Sequence, residues 1–155
     1  MTRPVNQNAA ESHPRILYLA CPYSHPNPTI RESRFKAATK AAAMLIRSGY
    51  IVFSPLTMTH PIDVELAGSA GSLGSDFWVK FDEAFMPFCA EIVVLRVDGW
   101  DRSSGVFREI EYFKKQGKPI RYLDLEELPA PSRTTKSTSR HLVQKPSIRQ
   151  RARRS

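Results

Sequence analysis

The stretch Gly99-Trp100-Asp101-Arg102-Ser103-Ser104-Gly105-Val106-Phe107-Arg108-Glu109 follows the apolar run Ile92-Val93-Val94-Leu95 and opens a helical pattern. Two hydroxyls and a glycine therefore stand where a predicted strand passes into a predicted helix. The first backbone N–H groups of a helix have no partner within it, so this position can hold an anion. One turn further along is a carboxylate, Glu109. The pattern favours an anion site beside a reactive carboxylate, although serine and glycine also cap ordinary helices.

Strand patterns alternate with helical patterns on both sides of this stretch. Apolar runs predict strands at residues 16–20, 50–53, 92–97 and 119–123. Helical spacing predicts helices at residues 29–48 and 104–116. This order predicts right-handed crossovers and a mainly parallel sheet of four to five strands, in a flavodoxin-like or Rossmann-like three-layer α/β sandwich. Ligands of such sheets bind at the carboxyl ends of the strands, where the loops after Ala20, Phe53 and Val97 converge.

Two segments carry more local predictions. Thr29 and Glu32 have the spacing of a capping box, which predicts the start of the first helix. Residues 62–67 are compatible with a helical turn, and residues 68–74 are rich in glycine and serine, which predicts a mobile loop. Ser75 or Asp76 is expected to cap a further helix. Its apolar stripe is Trp78, Phe81 and Phe85.

Composition narrows the class of protein. The chain has 155 residues, 41% of them hydrophobic, which is enough for one domain with a core. It contains no apolar run of membrane-spanning length and no secretory signal, so we expect a cytoplasmic protein. Cys21 and Cys89 lack metal-ligand spacing and are expected to be buried thiols, with a disulfide left open. No GxGxxG, Walker or metal motif is present, so we expect neither a cofactor nor a metal.

The charge distribution divides the chain. The net charge is +8, yet all 15 acidic residues lie within residues 1–128, where 15 bases balance them. Residues 129–155 contain eight bases and no acid. We therefore expect a flexible N-terminal arm (1–14), an α/β domain (15–128) and a disordered basic tail (129–155). The tail is interpreted either as a nucleic-acid contact or as a solubilising extension; it has no aromatic residues for base stacking.

These residues together resemble a known family. Leu17-Tyr18-Leu19-Ala20 resembles the opening strand of the nucleoside 2-deoxyribosyltransferases. The segment 103–109 is similar to their motif of a small or acidic residue, x, Gly, three residues and Glu. It is most similar to the 2′-deoxynucleoside 5′-monophosphate N-glycosidases, where a serine stands six residues before the glutamate. Trp78-x-x-x-Asp82, Cys89 and the Gly-Trp pair resemble short uncharacterised bacterial and phage relatives, the DUF1937-like group. The resemblance covers about residues 15–124.

The resemblance implies roles for three side chains. Glu109 matches the nucleophile that attacks C1′ of the sugar, and Tyr18 matches the tyrosine that orients it. Asp82 matches the aspartate that protonates the leaving base. An ionised carboxylate stabilises an oxocarbenium-like state, and a carboxyl acid beside the base needs a raised pKa. The resemblance also implies a homodimer or higher homo-oligomer.

Residue 103 indicates the substrate class. The transferases keep an aspartate there, which would repel a phosphate, whereas Ser103 would accept one. We therefore predict a nucleotide substrate whose phosphate contacts Ser103, Ser104 and the N–H groups of Gly105 and Val106. Hydrolysis and transfer both remain open, as do a non-catalytic nucleotide-binding module and a nucleic-acid-associated protein acting through its tail.

Other side chains are candidates near this edge of the sheet. Tyr23 and His60 are candidate base contacts, although a loop histidine often has no such role. Trp78 could stack on a base or pack in the core. Arg31 and Arg34 could add positive potential for a phosphate or simply be solvated charges on a helix.

Overall fold

The computed structural model describes residues 14–69 and 73–127. The predicted basic tail, and all but the last residue of the predicted N-terminal arm, lie outside these ranges. Within them, no helix is both long enough and apolar enough to cross a membrane. Both cysteines are free thiols, so the disulfide left open by the sequence is absent.

Four parallel strands and four α-helices alternate in the described part of the chain. The strands are β1 (Ile16–Ala20), β2 (Ile51–Phe53), β3 (Cys89–Leu95) and β4 (Ile120–Leu123). The α-helices are α1 (Pro28–Arg47), α2 (Pro55–Ser69), α3 (Ser75–Glu83) and α4 (Ser104–Lys115). Short 3-10 helices occupy Met86–Phe88, Trp100–Arg102 and Leu125–Glu127. The strand order is β2-β1-β3-β4 and every pairing is parallel, which confirms the predicted α/β fold class.

The side chains of the two central strands alternate between the faces of the sheet, as the two-residue period of a strand requires. One face packs against α1 through Leu17, Leu19, Val93, Leu95, Ala41 and Ala42. The other face packs against α4 through Tyr18, Ala20, Ile92, Val94, Val106 and Phe113. The alanines of α1 let that helix approach the sheet closely. Helices on both faces give the three-layer sandwich, and Tyr18 lies on the α4 side.

The predicted capping box is wrong. Helix α1 begins at Pro28, and its N-cap is Asn27, whose Oδ1 accepts a hydrogen bond from the N–H of Thr29 at 2.8 Å. Proline fits the first helical position because it needs no partner for the N–H it lacks. The Glu32 side chain, freed from capping, contacts His60 and Lys36 instead.

The second crossover is more helical than the sequence suggested. Helix α2 runs without interruption from Pro55 to Ser69 and includes Pro61. Gly68 and Ser69 are helical, contrary to the loop expected at residues 68–74, and residues 70–72 of that prediction lie outside the described residues. Leu56, Thr59 and His60 are buried, so packing offsets the helix-breaking tendency of Pro61 and Gly68. Helix α3 begins at Ser75 with Gly74 as its N-cap, one residue earlier than a Ser75 cap and two residues earlier than an Asp76 cap would place it.

Candidate active site

The topology determines where the site lies. The crossover from β1 leads to β2 at one side, whereas β3 pairs with β1 at the other side, so the strand order reverses between β1 and β3. Ligands of open α/β sheets bind in the crevice at such a point. A cavity of about 800 Å³ lies there. Its walls come from the loop after β1, from α1, α2 and α3, and from the loop that leads into α4.

Tyr18 and Glu109 are joined by a hydrogen bond from the sheet to α4. The buried Tyr18 hydroxyl donates to Glu109 Oε1 at 2.8 Å, and the rings of Phe53 and Phe113 pack against the Tyr18 ring. Glu109 lines the cavity, and its second oxygen, Oε2, is shielded from solvent and has no hydrogen-bond partner among the described residues. Residue 109 as a whole is only half-buried, so the shielding concerns its carboxyl group.

Burial dominates the electrostatics of Glu109. Loss of solvent raises the pKa of this carboxyl to about 8; the Tyr18 hydrogen bond opposes the shift, and the nearby charge of Asp82 adds to it. The ligand-free carboxyl is thus mostly protonated at neutral pH, whereas an ionised group was expected. An unpartnered buried oxygen is costly and calls for an explanation, which a bound ligand would supply.

Asp82 is a second shielded carboxyl in the same cavity. It lies at the end of α3, four residues after Trp78 and therefore on the same helical face. Its Oδ1 is also inaccessible and unpartnered, and burial raises the pKa of Asp82 to about 7. This shift has the direction that an acid protonating a leaving base requires.

The N-terminus of α4 forms another wall of the cavity, lined by Ser103, Ser104, Gly105 and Val106. Ser103 is the N-cap, and its Oγ accepts a hydrogen bond from the N–H of Val106 at 3.3 Å. The cap thus engages the N–H of Val106, and the expected contact of that N–H with a phosphate stays a prediction. The N–H groups of Ser104 and Gly105 are the first two of the helix and have no acceptor within it.

Arg34 spans the crevice and was underestimated from sequence. Its Nη1 donates to the carbonyl of Ser24 at 3.0 Å, and its Nη2 donates to the carbonyl of Asp98 at 2.9 Å. Gly99 has φ +84°, and a Cβ there would lie 2.7 Å from Arg34 Nη2. The arginine thus joins the loops after β1 and β3. Three other arginines line the same cavity: Arg31, Arg102 and Arg108.

The two candidate base contacts are placed differently. Tyr23 lines the cavity, but His60 does not line it and is only 7% exposed. His60 lies behind Tyr23, with Nδ1 2.8 Å from the tyrosine hydroxyl. His60 thus contacts a residue of the cavity wall, and a direct contact of His60 with the base stays a prediction.

Sequence reasoning also missed three acidic residues of the cavity, Asp63, Glu83 and Asp98. Asp63 was missed because only a helical turn at residues 62–67 was expected where α2 runs from Pro55 to Ser69; its Oδ1 accepts a hydrogen bond from Trp78 Nε1 at 3.1 Å. Asp98 could have been found, because it follows Val97 at the ligand edge of the sheet. Across the described residues, no group of three or more His, Cys, Asp or Glu side chains is arranged to hold a metal ion.

Comparison with known proteins places the chain in a family. No curated protein matches it. Among solved structures it is similar to a 2-deoxyribosyltransferase from the psychrotolerant bacterium Bacillus psychrosaccharolyticus, with 24% identity over 70% of this chain and 72% of that chain and a TM-score of 0.48. Residues 15–124 match a family described as a domain of unknown function. Since that match spans well over half of the sequence, the chain belongs to the DUF1937 family.

Proposed function

We propose that this protein cleaves or transfers the N-glycosidic bond of a nucleoside 5′-monophosphate, with Glu109 as the nucleophile. The observation that carries the proposal is the Tyr18–Glu109 hydrogen bond of 2.8 Å beside a second shielded carboxyl, Asp82, in one cavity. Two carboxyls with distinct environments are the usual equipment for cleaving a glycosidic bond.

The reaction proceeds in two balanced steps. In the first, Glu109 Oε2 attacks C1′, the bond from C1′ to the base nitrogen breaks, and Asp82 gives its proton to the departing base. The product is a glycosyl ester on Glu109. In the second, water or another base attacks C1′, Asp82 takes the proton of the attacking group, and Glu109 is released as carboxylate. Tyr18 holds Oε1, which leaves Oε2 for C1′.

The protonation states restrict the active form. Glu109 must be ionised and Asp82 protonated, while burial raises the pKa values of both to about 8 and about 7. Because the pKa of Glu109 is the higher of the two, the active form is a minority proton isomer, and activity should rise up to about pH 7 and fall above about pH 8, which gives a bell-shaped pH profile centred between these two values. Positive charge developing at C1′ favours ionised Glu109 in the transition state.

The proposed phosphate site is the start of α4. The Ser103 hydroxyl can still donate its proton while accepting from Val106, and the N–H groups of Ser104 and Gly105 point from the helix terminus. Arg34 and Arg102, on the same cavity, add positive charge. A phosphorylated substrate fits this wall better than an unphosphorylated nucleoside does.

The test is incubation of the purified protein with deoxynucleoside and ribonucleoside 5′-monophosphates and the matching nucleosides, followed by chromatography for free base. We expect base release from at least one monophosphate, and a loss of at least about 1,000-fold in Glu109→Ala. Ser103→Asp should shift preference toward unphosphorylated nucleosides. Binding of monophosphates without release of base, unchanged in Glu109→Ala, would instead identify a nucleotide-sensing module.

A further inference from the structure

A chain of side chains lies behind Tyr23. His60 Nδ1 is 2.8 Å from the Tyr23 hydroxyl, and His60 Nε2 is 3.0 Å from Glu32 Oε2. The ring of Phe35 stacks on the His60 ring at 4.4 Å between centroids. The histidine is therefore held on three sides: by α1 through Glu32 and Phe35, and by the loop after β1 through Tyr23.

The partners of His60 determine which of its two ring nitrogens donates a hydrogen bond and which accepts one. The hydrogen bond from His60 holds the pKa of Glu32 below its ordinary value, so Glu32 is an acceptor only. Nε2 of the histidine must then carry the hydrogen, and in a neutral ring Nδ1 is left as an acceptor. The Tyr23 hydroxyl consequently gives its only proton to His60. Tyr23 has no hydroxyl proton left for a ligand in the cavity.

Two charged groups also act on the Tyr23 hydroxyl. The charge of Asp63 adds to the effect of burial in raising the pKa of Tyr23, and the charge of Arg31 opposes it. Tyr23, Arg31 and Asp63 line both the main cavity and a neighbouring one of about 410 Å³, which His60 and Glu32 also line. Tyr23 thus forms a wall between two cavities. Its hydroxyl is directed to protein groups, and its ring is left to contact a ligand.

We propose that His60, fixed by Glu32, is a positioning residue that holds the ring of Tyr23 as a flat contact for the nucleobase. The inference rests on the proposed function, since it takes the ligand to be a nucleotide. The base is the flat aromatic part of such a ligand, and every base offers a π-face. Recognition at Tyr23 is therefore by ring contact and does not distinguish one base from another.

The experiment measures binding of four deoxynucleoside monophosphates by calorimetry in a Glu109→Gln background, where the ligand stays intact. Tyr23→Phe, His60→Ala and the double variant are compared, with His60→Asn as the conservative variant that keeps an acceptor near the Nδ1 position. Tyr122→Phe is the matched control, because this tyrosine is exposed and lies outside both cavities. Circular dichroism establishes that each variant is folded.

We expect Tyr23→Phe and His60→Ala each to weaken binding about fivefold, by a similar factor for all four bases, because an ordered ring becomes free to move. The double variant should be no weaker than either single variant, and His60→Asn should recover most of the affinity. Unchanged affinity in His60→Ala, additive losses, or a loss confined to one base would overturn the inference while leaving the proposed function intact. Failure of the Glu109→Gln parent and of wild type to bind any monophosphate would overturn both.

Discussion

Replacing Glu109 by glutamine should stabilise the protein, and by more as the pH rises. The carboxyl has a pKa of about 8 in the folded protein against an ordinary value of 4.5. Between these values the folded state keeps a proton that the unfolded chain has released, so raising the pH favours unfolding. The free energy of unfolding of the wild type therefore falls progressively between pH 4.5 and pH 8. Glutamine has nothing to ionise and avoids the loss.

The size of the effect follows from the two pKa values. Integrating the proton difference gives about 3 kcal/mol at pH 7 and about 5 kcal/mol above pH 8, as upper estimates, and nothing below pH 4.5. The new amide adds a constant offset, because its NH₂ replaces an oxygen that also lacks a partner. Asp82 titrates in both proteins, so the effect of its own burial cancels, and its coupling to Glu109 is contained in the value of about 8. The pH dependence is therefore the quantity to compare.

The assay is urea unfolding between about pH 5 and pH 9, followed by the fluorescence of Trp78 and Trp100. Glu111→Gln is the matched control: this glutamate is on the same helix and pairs with Lys114 at 3.6 Å on the surface. We expect the free energy difference between Glu109→Gln and wild type to grow with pH, and that for Glu111→Gln to stay flat. A flat difference for Glu109→Gln would show that its carboxyl ionises freely, and the argument from burial would be refuted.

Three further predictions concern other parts of the chain. Gly99→Ala should lower the free energy of unfolding by about 1–2 kcal/mol more than Gly117→Ala in urea titrations. Both glycines have positive φ, but only at Gly99 does a Cβ meet Arg34; equal losses would contradict that contact. Lys118→Met should lower the free energy of unfolding by about 2 kcal/mol without changing nucleotide binding, because the ammonium donates hydrogen bonds to three carbonyls at and just before the start of β3. A change in nucleotide affinity would argue against a purely structural role. Tyr18→Phe should move the alkaline limb of the pH–activity profile upward and lower its maximum, because the hydrogen bond that lowers the pKa of Glu109 is lost and Glu109 titrates above Asp82; an unmoved alkaline limb would separate Tyr18 from the nucleophile.

Much of the fold could be predicted from the sequence because it depends on local patterns. The strand runs are continuous and apolar, and the helices between them follow a helical period, so element order alone gives a parallel sheet with ligands at its carboxyl edge. Helix α2 was missed because Pro61 and Gly68 are poor helix residues, and only burial of its neighbours against the rest of the chain explains why it forms.

The site was predictable to a different degree. The motif and the resemblance singled out Tyr18, Asp82 and Glu109, and the structure places a hydrogen bond between Tyr18 and Glu109 and gives Asp82 a place in the same cavity. The bridge made by Arg34 could not be predicted, because it depends on the distance between two loops far apart in sequence. The covering of His60 by Tyr23 could not be predicted for the same reason.

Helix α4 holds the residues proposed to contact the two ends of the ligand, Ser103 at the phosphate and Glu109 at the sugar. Ser103 caps it and Glu109 follows six residues later, which corresponds to about 9 Å along the helix axis. Inserting one residue between them would turn the carboxylate by about 100° and remove it from Tyr18. Sequences with an insertion or deletion between Ser103 and Glu109 should therefore be inactive. New substrate preferences should arise through replacements on α2 and α3, which line the cavity and do not fix the spacing of these two residues.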